Sequence, residues 1–138
     1  MQTFLPYKSF RSSAKSLDRQ RLGKQRLEVK QILRALSGGG GWANHPAVRM
    51  WKGCEVSLAL YGMCVCVEWR DRGYSDSLLL EFYEVRRSGM RVDPWWLGWD
   101  EFHLSHQSNL VRKNPDWYAP QFPAVAGDLP YVWPVVEP

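Results

Sequence analysis

The sequence of 138 residues has few cysteines and no long apolar run. Its three cysteines, Cys54, Cys64 and Cys66, are an odd number without CxxC spacing, so neither a disulfide framework nor a zinc knuckle is indicated. A membrane-spanning helix needs about 18 apolar residues in a row, and a secretion signal needs a shorter apolar stretch near its start. Because the sequence has neither, we expect a cytoplasmic protein with buried free thiols and no membrane partner.

The composition also lacks the signs of disorder. Charged residues make up 23% of the sequence and hydrophobic residues 45%, with eight Trp, six Tyr and five Phe. Disordered chains have the opposite balance. No internal repeat or composition break divides the chain, and its length excludes two full-sized domains. We therefore predict a single domain over residues 1–138 with a core of its own.

Positive charge is concentrated in the first quarter of the chain. The net charge is +4 overall, whereas residues 8–34 contain nine Lys or Arg and two acids, a net +7 that leaves the rest at −3. Such a basic block is typical of proteins that bind the phosphate backbone of nucleic acids, because neutralised phosphates release their counterions. A solvated helix face is the alternative, although such a face usually mixes the two signs.

Helical spacing of apolar residues dominates the first half of the sequence. With Ser13 or Ser16 as the N-cap, the pattern predicts a helix that runs to Leu36 and is stopped by the glycines that follow. A second long helix is predicted from the N-cap Asn44 to Gly73, because a proline occupies its first turn and apolar residues step by three and four along it.

The second half of the sequence predicts two shorter helices and a tail. One helix is expected over residues 77–87, and another over residues 101–113 with Asp100 as its N-cap. The prolines beyond residue 119 exclude a regular helix there, so we expect an extended tail on the surface. Its predicted packing anchors are the aromatic residues Trp117, Tyr118, Tyr131 and Trp133. The predicted fold class is all-α, with three to four helices.

A lone carboxylate lies within the basic block. Glu28 is the only acid on one face of the first predicted helix, a face that also carries Arg21, Lys24 and Gln31. As an ordinary surface residue, Glu28 would pair with Lys24 and stabilise the helix by roughly a few tenths of a kcal/mol. As a functional residue, it would transfer protons or stabilise a developing cation beside DNA. Gly23 slightly favours the functional alternative, because a glycine within a helix often marks the close approach of another backbone.

Three blocks of sequence carry a resemblance to a known family. They are LDRQRLGKQRLE at residues 17–28, NHP at 44–46 opening a helix that ends in RGY at 72–74, and NPDWY at 114–118. In this order, the blocks resemble the endonuclease V-type pyrimidine-dimer DNA glycosylases of phages and bacteria. The resemblance implies a compact all-helical domain with an extended N-terminal segment that lies against the first helix. It also implies a phage-encoded or bacterial DNA repair enzyme that acts on double-stranded DNA.

The resemblance implies base excision coupled to strand cleavage at the abasic site. The family uses its N-terminal amine as the nucleophile and a glutamate of the first helix as its partner, which correspond here to Met1 and Glu28. An α-amine titrates near ~7.7–8.0 and a free lysine near ~10.4, so the terminus supplies neutral amine at physiological pH. The family chemistry needs no metal and no cofactor. Lys24, one helical turn from Glu28, is an alternative imine-forming amine.

The chain departs from the phage archetype at positions near both reactive groups. The archetype loses its initiator Met and exposes a threonine, whereas Gln2 is bulky enough that we expect Met1 to be retained. The archetype also has arginines immediately before its glutamate and three residues after it, where this chain has Leu27 and Gln31. Contacts with DNA phosphates are therefore expected from other cations of the same helix, namely Arg21, Lys24, Arg26 and Lys30.

The last predicted helix carries a run of polar residues. The family resemblance favours a surface that faces DNA, formed by His106, Gln107, Ser108, Asn109, Arg112 and Lys113. Hydrogen bonding to the tail is an equally good account of any one of them. His103 and His106 share a helix face and, with Asp100 or His45, are the only metal-ligand set that the sequence suggests.

Two further features near the proposed site have more than one interpretation. His45 is expected to begin a helix close to the active face and to contact a phosphate or the substrate. The tryptophans of residues 95–99 offer a stacking platform or wedge for DNA, although core packing is the better interpretation for most of these rings.

Three other functions remain open beside the pyrimidine-dimer glycosylase and abasic-site lyase. The first is a glycosylase for another modified or damaged base. The second is a non-catalytic DNA-binding module that uses the same basic helix, and the third is a metal-dependent nuclease. No protein partner is predicted.

Overall fold

The computed structural model describes residues 1–39 and 41–134, which form seven helices and no strand. The helices are α1 (Phe10–Ser16), α2 (Arg19–Leu36), α3 (Pro46–Arg49), α4 (Glu55–Asp71), α5 (Leu79–Arg86), α6 (Asp100–Lys113) and α7 (Pro115–Tyr118). The predicted all-α fold is confirmed, with more helices than the three to four expected. Within the described part of the chain, no helix is both long enough and apolar enough to cross a membrane.

The first predicted helix is divided into α1 and α2. Asp18 is the N-cap of α2 and its side chain accepts a hydrogen bond from the backbone N–H of Arg21, while Ser9 caps α1 in the same way. The predicted caps Ser13 and Ser16 are therefore wrong. Both serines are buried, Ser13 inside α1 and Ser16 at its end. The helix is interrupted there because Leu17 is extended and the Asp18 carboxylate caps a new helix.

The second predicted helix is also interrupted. His45, not Asn44, is the N-cap of α3, and its Nδ1 accepts a hydrogen bond of 3.0 Å from the Ala47 N–H. The helix α3 ends at Arg49 and is followed by turns over residues 50–53. Gly53 closes these turns with a φ of +81°, a left-handed conformation that separates α3 from the next helix. The remainder forms α4, which ends just before Gly73, as predicted.

The helix α4 forms the centre of the bundle and packs against α1, α2 and α5. Gly62 allows this close packing. A Cβ atom at Gly62 would lie 2.8 Å from Val29 of α2 and 2.8 Å from Phe82 of α5. The predicted apolar stripe of α2 faces this core, with Leu22, Val29 and Ile32 fully buried.

The remaining helices agree with the predicted positions to within two residues. The helix α5 covers most of residues 77–87, and α6 ends at Lys113 as expected. Asp100 is the first residue of α6 rather than its cap, where its negative charge suits the helix N-terminus. The tail begins with the short helix α7, which the proline content did not predict, and is irregular from there to residue 134. The last four residues of the predicted tail lie outside the described residues.

Two of the predicted tail anchors fix the start of the tail. Tyr118 is fully buried, and its hydroxyl contacts both the backbone N–H and the carboxylate of Asp18. The indole N–H of Trp117 donates a hydrogen bond of 2.8 Å to the Ser16 carbonyl. These contacts join the start of the tail to the junction between α1 and α2.

Candidate active site

The first six residues form an extended segment that polar side chains of α6 hold in place. The Leu5 N–H donates to Nδ1 of His106 at 3.0 Å, and Nδ1 of His103 lies 2.8 Å from the Leu5 carbonyl. Gln107 donates a hydrogen bond of 2.8 Å to the Pro6 carbonyl. Because an extended segment has no internal hydrogen bonds, these side chains take the place of a neighbouring strand.

Gln25 of α2 fixes the same segment from the other side. Its Oε1 accepts a hydrogen bond of 2.9 Å from the Phe4 N–H, and its Nε2 donates to the Gln2 carbonyl at 2.8 Å. The Tyr61 hydroxyl lies 2.7 Å from Gln25 Oε1 and 2.8 Å from the Phe4 carbonyl, so it can donate to one of the two at a time. The amide of Gln25 therefore orients the backbone that leads to the N-terminus.

The amide nitrogen of Gln25 also donates a hydrogen bond to Glu28, the catalytic candidate of α2. Nε2 of Gln25 donates to Oε2 of Glu28 at 2.7 Å, and Glu28 is only 8% exposed. Burial raises the pKa of the Glu28 carboxyl. The positive charge of the N-terminal amine, a hydrogen bond with the Gln2 backbone and the Lys24 ammonium oppose this rise. Glu28 is thus a buried carboxyl close to two cationic amines.

A cleft of about 290 Å³ opens over this carboxyl. It is lined by Met1, Gln2, Phe4, Gln20, Arg21, Lys24, Gln25, Glu28 and Lys113. The two predicted catalytic residues therefore share one cleft with the alternative nucleophile Lys24. The predicted DNA contacts Arg21 and Lys113 lie on the same surface.

Arg26 and Lys30, the other two cations of α2 that were predicted to contact DNA, form ion pairs with carboxylates. Nη2 of Arg26 lies 2.6 Å from the Asp76 carboxylate, whose side chain is fully buried. Nζ of Lys30 lies 3.6 Å from Glu81 of α5. Neither Arg26 nor Lys30 lines the cleft. Both face α5 and the loop before it instead of the cleft, and their predicted contact with phosphates stays a prediction.

Most of the polar residues of α6 point into the protein. Ser108 donates a hydrogen bond to the Ala126 carbonyl at 2.5 Å, and Asn109 donates to the Ser105 carbonyl at 2.7 Å. The Arg112 guanidinium bonds the Gly127 carbonyl at 3.1 Å. The structure thus gives these residues, and the buried His106, hydrogen bonds within the protein, while Arg112 remains exposed, and their predicted contact with DNA stays a prediction. The open alternative, hydrogen bonding to the tail, describes Ser108, Asn109 and Arg112, since Asn109 also donates to the Leu129 carbonyl at 3.3 Å.

Ring nitrogens of both histidines of α6 make backbone contacts that compete with binding of a shared metal ion. His103 uses both ring nitrogens in backbone hydrogen bonds, since Nε2 accepts from the Gly98 N–H at 2.9 Å while Nδ1 faces Leu5. Burial lowers the pKa of His103 and lowers that of His106 to about 3, so both rings are neutral at pH 7. The described residues contain no cluster of three or more His, Cys, Asp or Glu that would hold a metal ion.

His45 lies between two tryptophans and does not line the cleft. Its ring packs edge-on against Trp42 and Trp133, with ring centroids 5.8 and 6.3 Å away. Burial and the positive charge of the N-terminal amine both lower the pKa of His45. This charge effect indicates that His45 lies near the N-terminal amine, and its predicted contact with a phosphate or the substrate stays a prediction.

The tryptophans of residues 95–99 divide between the two predicted roles. Trp96 is fully buried and donates a hydrogen bond of 3.0 Å to the Met50 carbonyl, so it belongs to the core. Trp95 and Trp99 instead line an open groove on the surface together with Trp133. Gln25 and Tyr61 were not among the functional residues predicted from the sequence. Only the position of Gln25 one turn before Glu28 was available as a signal.

Comparison with known proteins yields a match to the profile of one protein family. The profile of the pyrimidine dimer DNA glycosylase family matches residues 1–82, which is more than half of the chain. The matched part contains the N-terminal segment, α1 to α4 and both Met1 and Glu28. Neither the curated proteins nor the solved structures include a match to this chain. The chain belongs to the pyrimidine dimer DNA glycosylase family, whose members act on DNA.

Proposed function

We propose that this protein is a DNA repair glycosylase with abasic-site lyase activity, which excises pyrimidine dimers from duplex DNA without a metal or cofactor. The observation that carries the proposal is the shared cleft of Met1 and Glu28. The Gln25 amide supports it by bonding both the Glu28 carboxylate and the Gln2 backbone. The family match supports the class of reaction.

In the proposed first step, the neutral amine of Met1 attacks C1′ of the damaged nucleotide. A C1′–N bond forms to the amine and the glycosidic bond breaks, so the base leaves with the bonding electron pair and takes up a proton. Loss of the amine proton and opening of the sugar ring then give an imine and a free 4′ hydroxyl. Glu28 stabilises the positive charge that develops at C1′.

In the proposed second step, the imine makes the C2′ protons acidic. Removal of one proton by the Glu28 carboxylate forms a C2′–C3′ double bond and expels the 3′ phosphate, which cleaves the strand. Water then hydrolyses the imine and regenerates the amine. A carboxyl whose pKa is raised by burial suits this role, because it takes up and releases protons closer to neutral pH than an exposed glutamate.

The proposed DNA contacts are the cations that surround the cleft. Lys24 and Lys113 are exposed and, among the described residues, have no carboxylate within ion-pair distance. Arg21 lies beside them and pairs with Asp18 at 3.2 Å while keeping part of its guanidinium exposed. We assign the phosphate contacts to these three residues, since they lie on the surface through which a nucleotide reaches Glu28.

The experiment that tests the function is borohydride trapping on a duplex with an abasic site. The protein carries no N-terminal tag, and mass spectrometry maps the cross-linked residue. Attachment at the Met1 amine is the expected result. Two controls accompany it, a protein with its N-terminus acetylated, which should not cross-link, and Lys24→Gln, which should.

The outcomes of this experiment separate the alternatives. A cross-link at Lys24 keeps the reaction but moves the nucleophile. The absence of any cross-link, despite salt-sensitive binding to the duplex, contradicts the lyase and favours a DNA-binding module. Release of a different base from a panel of damaged duplexes, with dimers left intact, would contradict the assigned lesion.

A further inference from the structure

The hydroxyl of Tyr61 joins two groups that position the N-terminal segment. Tyr61 belongs to α4 and is fully buried. Its oxygen lies 2.7 Å from Oε1 of Gln25 and 2.8 Å from the Phe4 carbonyl. The Phe4 N–H donates to the same Oε1 at 2.9 Å. The hydroxyl therefore completes a ring of contacts between the Gln25 amide and the backbone of Phe4.

The side chain of Tyr61 is fixed by aromatic packing. Phe10 of α1 packs edge-on against it with ring centroids 5.6 Å apart, and Trp51 stacks on it at 6.5 Å with 19° between the two planes. Trp51 also donates a hydrogen bond of 3.1 Å to Oγ1 of the buried Thr3. Because a close-packed ring leaves only the O–H bond free to rotate, the Tyr61 oxygen is a fixed point for the N-terminal segment.

The contacts of the Gln25 amide depend on which way it is turned. A rotation of 180° about its last side-chain bond exchanges the oxygen with the nitrogen. In the observed orientation, Oε1 faces two donors, the Tyr61 O–H and the Phe4 N–H. Nε2 faces two acceptors, the Gln2 carbonyl and Oε2 of Glu28. The reverse orientation would place donor against donor at Phe4 and acceptor against acceptor at Glu28.

We propose that Tyr61 is a positioning residue, whose hydroxyl donates to Oε1 of Gln25 and so holds the amide in the orientation that presents Nε2–H to Glu28. Donation to Oε1 also polarises the amide and strengthens its N–H donors, because hydrogen bonds in a buried chain reinforce one another. The Glu28 carboxylate is thereby stabilised in the form that accepts the C2′ proton. This inference rests on the proposed function for the role of Glu28.

The hydrogen bond from Gln25 is one of several effects on Glu28. Burial raises the pKa of the Glu28 carboxyl, whereas the N-terminal amine, the Gln2 backbone, the Lys24 ammonium and the Gln25 amide lower it. The cationic groups that line the cleft with this carboxyl are the Met1 amine, Arg21, Lys24 and Lys113. Replacement of Tyr61 by Phe leaves all these charges in place, so a change in the pKa of Glu28 in that variant reports the contact with Gln25.

The test uses Tyr61→Phe, which removes the hydroxyl and keeps the packed ring. Imine formation on a duplex with an abasic site should fall by about 3- to 30-fold. The acid limb of the pH–rate profile should move to higher pH, because a weaker hydrogen bond from Gln25 raises the pKa of Glu28. The matched control is Ser57→Ala, one turn earlier in α4, which removes a buried hydroxyl that donates to Asp93 at 2.9 Å. It should lower the melting temperature without moving the profile.

A double-mutant cycle with Gln25→Leu shows whether Tyr61 acts through the amide. Once the amide is removed, adding Tyr61→Phe should not move the acid limb any further. A profile of Tyr61→Phe that coincides with that of the wild type would overturn the positioning role. A shift that adds in full to the shift of Gln25→Leu would also overturn it.

An NMR titration supplies a second readout that does not need the chemistry. The signal of the Glu28 carboxyl carbon, assigned with Glu28→Gln, should give a higher pKa in Tyr61→Phe than in the wild type and in Ser57→Ala. Equal pKa values in the three proteins would overturn the inference. If the wild type forms no imine, the proposed function fails, whereas this titration still decides whether Tyr61 acts on Glu28.

Discussion

The side-chain amide of Gln25 donates a hydrogen bond of 2.7 Å to the carboxylate of Glu28, three residues further along α2. The same amide nitrogen donates to the Gln2 carbonyl at 2.8 Å. One planar group therefore sets the relative position of the N-terminal backbone and the buried carboxyl. Because an amide is rigid, this arrangement holds the two proposed reactive groups in register without a covalent link.

Replacement of Gln25 by Leu should impair catalysis by displacing its neighbours. The Phe4 N–H and the Gln2 carbonyl lose their partner, so the expected loss of stability is about 1 to 3 kcal/mol. Imine formation on the abasic duplex should fall by about 10- to 100-fold. The variant also removes a hydrogen bond that lowers the pKa of Glu28, so the acid limb of the pH–rate profile should move to higher pH.

The matched control for this position is Gln31→Leu, which changes an exposed glutamine of the same helix. It should leave the pH–rate profile and the stability unchanged. A pH–rate profile of Gln25→Leu that coincides with that of the wild type would show that Gln25 does not position Glu28.

Replacement of Glu28 by Gln should slow strand cleavage and change how the stability of the fold depends on pH. Loss of the carboxylate is expected to slow strand cleavage by about 100- to 10,000-fold, while duplex binding is retained. Because the pKa of Glu28 is raised in the folded state, its contribution to stability is present at low pH and is lost as the pH rises through that pKa.

As the pH rises from 4 to 7, the stability of the variant should therefore increase relative to that of the wild type. Thermal unfolding of both proteins at the two pH values measures this change. Equal losses of binding and cleavage would remove the catalytic assignment. A difference in melting temperature that does not change with pH would contradict the burial effect on Glu28.

Replacement of Lys24 by Gln should weaken duplex binding in a salt-dependent way. If the ammonium contacts one phosphate, the slope of log K against log salt should fall by about one. Lys30→Gln is the control on the same helix, since its ammonium lies 3.6 Å from Glu81 and outside the cleft. Equal slopes for Lys24→Gln and the wild type would exclude the phosphate contact.

Replacement of Asp76 by Asn should destabilise the fold. Burial favours a higher pKa for the Asp76 carboxyl, but hydrogen bonds from Arg26 and from the backbone of Leu79 and Leu78 outweigh this effect and lower it. The variant leaves a mostly buried guanidinium without its partner, at a cost of about 3 kcal/mol in urea unfolding. Glu81→Gln breaks an exposed pair and should cost less than about 1 kcal/mol.

Replacement of His106 by Asn should change the response of the protein to acid. The pKa of His106 falls from 6.5 to about 3 on folding, because burial and the nearby His103 disfavour the cation. As the pH drops from 6.5 towards 3, only the unfolded state gains a proton, so stability is lost by up to about 1.4 kcal/mol per pH unit. Urea unfolding at pH 7 and pH 4 should show a smaller loss for the variant. Parallel losses in the two proteins would contradict the assignment.

Local sequence signals predicted the long helices and the position of the carboxylate. The apolar stripe of α2 and the isolated acid in a basic block both follow from spacing along one helix, which a sequence contains directly. The prediction that another group closely approaches Gly23 is confirmed, but the prediction that this group is a backbone is wrong. The ring of Trp69, not a backbone, lies 2.8 Å from where a Cβ would be.

The polar residues of α6 show where local reasoning stops. Polar residues on a helix face are either exposed to solvent or buried with hydrogen-bond partners. The two cases cannot be distinguished without knowing which part of the protein packs against that face. Here the partner of His103 and His106 is Leu5, about 100 residues earlier in the chain. A shorter separation, of 21 to 23 residues, hid the role of Gln25, whose contacts with Gln2 and Phe4 depend on how the N-terminal segment crosses α2.

The sequence by itself determined the helical class and the basic block, since these depend on composition and period, whereas Met1 and Glu28 were proposed as reactive groups from the resemblance to the glycosylase family. The tertiary structure alone decided which cations remain available to DNA and which polar groups are used internally. It also brought Trp42 and Trp133 together around His45. The physical reason is that burial and hydrogen bonding depend on residues distant in sequence, which only the packed chain brings within a few ångströms.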